Sequence, residues 1–97
     1  MAISDGNPAA RERGYCPCCG YAVLSAACPG SAEVCPICFW IDDIDQFTDP
    51  EYVGEENEVS LREARRNVRE HGACAPEVVA LTREPEGEAR DPNWPYE

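Results

Sequence analysis

The chain has 97 residues, a net charge of −11 at neutral pH and seven cysteines, which bounds it to one small domain that can hardly fold on apolar burial alone. It has no run of about 18 apolar residues, so no membrane-crossing helix is expected. Eight basic residues against 19 acids also disfavour nucleic acid as a partner, because phosphates are gripped by clustered Lys and Arg.

Taken in chain order, residues 1–14 are rich in Ala, Pro, Gly and charge and are expected to be a flexible N-terminus. Residues 1–13 have no apolar core region, so a secretory leader is not expected. The expected location is therefore the cytoplasm, where thiols stay reduced and paired cysteines more often hold metal than form disulfides. All eight basic residues are arginine, a bias of composition and not of function.

Residues 15–41 form the metal module. Cys16-Pro17-Cys18-Cys19-Gly20-Tyr21 and Cys35-Pro36-Ile37-Cys38-Phe39-Trp40 each carry a C-x2-C pair, Cys16 with Cys19 and Cys35 with Cys38. Fifteen residues separate Cys19 from Cys35, the spacing of a four-thiolate zinc site. A C-x2-C turn lets two thiolates reach one ion at about 2.3 Å. The proline after each first cysteine fixes φ and removes an amide that would compete in the turn. Gly20 lets the backbone curl back so that amides can point at sulfur, which tunes a thiolate site. Phe39 stands where the second knuckle would have glycine, so a less regular turn is expected there. The opposing reading, two disulfides, fits poorly with adjacent Cys18 and Cys19 and with an odd number of cysteines.

Short strands are expected at residues 21–24, 33–34 and 39–41, with a turn at Pro29-Gly30-Ser31. Residues 41–58 carry eight acids and no base. They read as a solvated, solubilising loop, or as a docking surface for a basic partner. A helix follows. Ser60 and Glu63 form a capping box, Leu61, Ala64 and Val68 share one face, and Gly72 ends the helix as a left-handed cap. Arg62, Arg65, Arg66 and Arg69 fill the remaining faces as a solvated stripe. A second short helix is expected from Pro76. Residues 83–97 are an acidic, Pro-rich tail in which Trp94 and Tyr96 dock back on the core or anchor a partner.

Together, the run from Tyr15 to Tyr21, the run Cys35-Pro-Ile-Cys-Phe-Trp-Ile-Asp-Asp43, and residues 59–67 with Gly72-Ala73-Cys74 resemble the cysteine-rich CPCC domain family of bacteria. The resemblance covers residues 15–74 and matches Cys16, Cys18, Cys19, Cys35, Cys38 and Cys74; Cys28 departs from the pattern. It implies a small metal-binding domain of no settled activity. Similar small acidic proteins beside toxin systems imply an antitoxin-like or immunity-like accessory role.

The expected fold is a small metal-stapled α+β domain, with zinc-ribbon-like β hairpins covered by one or two short helices. The expected organisation is a flexible segment 1–14, a zinc-binding domain 15–82 and a tail 83–97. The expected ligands are Cys16, Cys19, Cys35 and Cys38. Cys18, Cys74 and His71 are the weaker candidates, the last two as an H-x-x-C half-site, and Cys28 is a small buried hydrophobe. Three functions compete. A closed four-cysteine zinc site without an open position suits a non-enzymatic module that binds another protein. The knuckles are also similar to those of rubredoxin, which implies an iron electron carrier. Cys18 as a free thiolate would make a thiol-based redox protein, although no companion base is evident. The sequence leaves the partner and the oligomeric state open.

Overall fold

Two knuckles with the same hydrogen-bond pattern organise the protein, as seen in a computed structural model that describes residues 13–96. The flexible segment expected at 1–14 lies outside the described residues up to position 12. In the first knuckle the Cys16 amide donates to the Tyr21 carbonyl at 2.9 Å and the Gly20 amide to the Cys16 carbonyl at 2.8 Å. In the second, the Cys35 amide donates to the Trp40 carbonyl and the Phe39 amide to the Cys35 carbonyl, both at 2.8 Å. The second turn is thus as regular as the first, contrary to the sequence expectation. Phe39 adopts a φ of +71°, close to the +83° of Gly20. A left-handed residue with a Cβ costs about 1–2 kcal/mol, and here the Phe39 ring packs against the buried core, which offsets that cost.

The first knuckle is bracketed by strands β1 (Gly14–Tyr15) and β2 (Ala22–Leu24), paired antiparallel as Gly14 with Leu24 and Tyr15 with Ala22. The second has no strands. The pairing expected at 33–34 and 39–41 reduces to one bridge, Val34 to Ile41. Beyond it the Asp42 amide donates to the Glu33 carbonyl and the Ala32 amide to the Asp42 carbonyl, both at 2.9 Å. The Asp42 side chain turns inward, where its Oδ2 accepts from the Ser31 amide at 2.9 Å and the Ser31 hydroxyl at 2.7 Å.

The acidic segment is not merely a solvated loop. It contains helix α1 (Ile44–Thr48) and a buried polar clamp. Gln46 donates through Nε2 to the carbonyls of Tyr52 (3.0 Å) and Val59 (2.9 Å). Its Oε1 accepts from Asn57 Nδ2 at 2.8 Å. Asn57 also donates to the Ile41 carbonyl at 2.9 Å and accepts from the Ile41 amide at 3.0 Å. These bonds satisfy polar groups that burial would otherwise leave costly. Asp42, Gln46 and Asn57 are all buried.

Helix α2 (Leu61–His71) forms as expected. The Ser60 hydroxyl accepts from the Glu63 amide at 3.1 Å, and Gly72 at φ +81° donates its amide to the Val68 carbonyl. Leu61, Ala64 and Val68 are buried with Trp40, Leu24 and the knuckle cysteines in one core. Asn67 joins this face and donates to the Cys74 carbonyl at 2.9 Å, tying the end of the helix to the chain that leaves it. The second helix begins at Pro76 but is a 3-10 helix (Pro76–Leu81). Among the described residues the result is an α+β domain in which one hairpin and short helices surround a four-cysteine cluster.

Candidate metal centre

The two knuckles face each other across the core. Cys16, Cys19, Cys35 and Cys38 place their four sulfurs within 4.8 Å of one another. Across the knuckles, Cys16 Sγ lies 3.7 Å from Cys38 Sγ and Cys19 Sγ 3.6 Å from Cys35 Sγ. Sulfurs arranged tetrahedrally at about 2.3 Å from one ion stand about 3.8 Å apart, whereas a disulfide needs about 2.05 Å. The spacing therefore fits a shared metal ion and not two disulfides. None of the seven cysteines is disulfide-bonded among the described residues.

The surroundings suit thiolates around a cation. The Cys18 amide points at Cys16 Sγ and the Cys38 amide at Cys35 Sγ, each at 3.5 Å. All four of these cysteines are at most 1% exposed. Burial pushes the Cys16 and Cys38 thiols well above their ordinary value. Hydrogen bonds from Cys16 first, then from Cys19 and Cys38, draw Cys35 down. Without a cation this dry pocket cannot hold four ionised sulfurs; with one, all four can be thiolates.

A model of the family described as "Cysteine-rich CPCC" matches residues 14–89, most of the chain. The chain belongs to the Cysteine-rich CPCC family. No curated protein matches it. In this CPCC domain the middle cysteine, Cys18, is buried but stands outside the four-sulfur group. Its amide serves Cys16, and its carbonyl accepts the Trp94 indole Nε1 at 3.2 Å. Cys74 is buried as well, and its amide donates to the Cys38 carbonyl at 2.8 Å. Burial raises its thiol to about 12. Cys74 thus supports the second knuckle through its backbone. His71 is exposed at the end of α2 beside Glu70, so it forms no half-site with Cys74. Cys28 is half-buried and donates to the Tyr15 carbonyl at 3.2 Å, with its thiol raised by burial to about 12.

Two residues that support the site, Arg65 and Arg90, went unrecognised in the sequence, whereas Trp94 docks back on the core as one of its two expected roles had it. The carbonyls of Pro17, Cys18 and Cys19, successive along the first knuckle, accept from Arg65 Nε (2.8 Å), Trp94 Nε1 (3.2 Å) and Arg90 Nε (2.9 Å). Residues 89–91 lie against the knuckle through Ala22 N–H to Ala89 O at 2.9 Å and Asp91 N–H to Gly20 O at 2.8 Å. Trp94 approaches Gly20 so closely that a Cβ there would stand 2.7 Å from Trp94 Cδ1. The tail aromatics were visible as a feature of the sequence; their register on the knuckle was not.

Proposed function

We propose that this CPCC domain is a non-enzymatic module in which one structural zinc ion joins the two knuckles and the outer surface binds another protein. The closure of the site carries the reading. Four cysteines supply four ligands and are essentially without solvent access, and a structural site is one with no position left for substrate. Elemental analysis of protein purified without chelator is expected to find one zinc per chain. Cys35→Ser is expected to abolish tight binding and lower the melting temperature, since metal binding here is folding energy. Retained zinc with an unchanged melting curve would overturn the assignment. The second reading, an iron electron carrier, is supported by the two amide-to-sulfur bonds, which suit an iron–thiolate site as well. Iron in place of zinc in that analysis, with reversible one-electron reduction, would select it. The burial of Cys18 speaks against a thiol-based redox protein, because a reactive thiolate needs access.

The partner we propose is a basic protein, consistent with an antitoxin-like or immunity-like accessory role. Support comes from residues 43–53, where Asp45, Asp49 and Glu51 alternate with exposed Ile44, Phe47, Tyr52 and Val53. Asp42 is inside the fold, so the charges available for steering begin at Asp43. Replacing Asp43, Asp45 and Asp49 by Asn is expected to leave metal content intact and to slow association with a captured partner. In the unsubstituted protein the same on-rate is expected to fall with salt, because such steering is screened over about 8 Å at physiological ionic strength. An on-rate indifferent to both would reduce the segment to a solubilising surface.

A further inference from the structure

Four thiolates around a divalent ion leave two negative charges in the core. Burying charge without compensation is costly, and a chain of net charge −11 gives little general help. Arg65 and Arg90 stand where help is needed. Each donates through Nε to a carbonyl of the first knuckle, Arg65 to Pro17 and Arg90 to Cys19. Arg90 is half-buried, its guanidinium stacked 4.3 Å from the Tyr21 ring centre and 3.3 Å from that of Trp94. Arg62 and Arg83 have carboxylate partners; Arg90 makes no ion pair with any described carboxylate. The two aromatic faces hold this cation in place, and its Nε bond to the Cys19 carbonyl sets the charge against a residue of the four-cysteine cluster.

We propose that Arg90, together with Arg65, is the counter-charge of the metal–thiolate centre, and that the strap 89–96 couples metal affinity to docking of the C-terminal segment. The proposal rests on the metal-centre reading above and extends it to regulation of that site. The coupling is reciprocal by necessity. The strap grips backbone that the metal organises, at Cys18, Cys19, Gly20 and Ala22, so metal loss weakens the strap. Anything that draws Arg90 and Trp94 away, such as a partner that prefers the tail, weakens the metal. Arg65 and Arg90 act through charge and position and bind no metal themselves.

The test uses the full chain loaded with Co²⁺, whose thiolate charge-transfer bands report a four-sulfur site, and with Zn²⁺, both titrated against a competing chelator. Arg90→Gln is expected to lower the affinity for both ions by about 10- to 100-fold, the range found when outer-shell partners are lost. Arg90→Lys, which keeps the charge without the fork or the stacking, is expected to recover most of it. Arg62→Gln removes the same net charge at the exposed Glu51 pair and is expected to change affinity by less than about threefold. With iron substituted, Arg90→Gln is expected to lower the Fe(III)/Fe(II) potential, because a nearby cation favours the more negative ferrous centre. If Arg90→Gln does not fold, Arg65→Gln is read in the same way. Equal affinities and an unshifted potential in the Gln variants would overturn the proposal and leave the strap a passive cover. Failure of the unsubstituted protein to take up Co²⁺ or Zn²⁺ would remove the metal reading itself, and the proposal with it.

Discussion

Replacing Asn57 by Asp tests whether the acidic segment is held from within. The change is nearly isosteric, but it exchanges the Nδ2 donor for an oxygen. Gln46 cannot turn its amide to compensate, because its Nε2 already serves the carbonyls of Tyr52 and Val59. Its Oε1 must therefore accept, and Asn57 must donate. The substitution orphans two acceptors, Gln46 Oε1 and the Ile41 carbonyl, and sets a carboxylate against both. At about 1–3 kcal/mol for each unsatisfied buried group, the expected loss is about 2–6 kcal/mol, a large part of the 5–15 kcal/mol typical of whole domains. The assay is urea denaturation at fixed, saturating metal, so that ligand linkage stays constant. The loss is expected to shrink at low pH, where the new carboxyl is neutral and can donate one bond. Glu56→Gln, on an exposed neighbour, is the control and is expected within about 0.5 kcal/mol of the unsubstituted protein. If Asn57→Asp is as mild as this control, the clamp does not hold the segment and the reasoning fails.

Two further outcomes follow from the packing. Leu61→Ala is expected to cost about 2–5 kcal/mol, since Leu61 is wholly buried on the inner face of α2, while Ser60→Ala should cost only about 1 kcal/mol through the lost cap; equal, small losses in denaturant midpoint would mean that α2 does not cover the knuckles. Gly20→Ala is expected to cost at least about 1–2 kcal/mol for its φ of +83° and to displace Trp94, seen as a shifted indole N–H resonance; an unmoved resonance would refute the close approach of the strap.

The four-cysteine group was legible in the sequence because it is largely a local property. Each C-x2-C turn brings two sulfurs together through its own backbone, and only the pairing of two such turns was left to the fold. Helix α2 was legible for a similar reason: a cap, an apolar face and a terminal glycine all lie within 13 residues. Helix α1 was not. Its apolar residues Ile44 and Phe47 are exposed and its inward residue is Gln46, so hydrophobic periodicity carried no signal. The regularity of the second knuckle was also hidden, because single-residue preference argues against Phe39 at positive φ and only its packing on the core outweighs that preference.

Composition, spacing and short-range pattern thus determined the four-cysteine cluster, the helix that covers it and the α+β class. Tertiary structure decided which polar and charged residues belong to the interior. Asp42 looked like one of eight surface acids and proved to be a buried acceptor for Ser31. Arg65 looked like part of a solvated stripe and Arg90 like part of a polar tail; both meet the first knuckle, from 48 and 71 residues away. A charged side chain has the same local signature whether it faces water or a buried counter-charge. The difference lies in what the rest of the chain brings to it, and that is fixed only when the core closes.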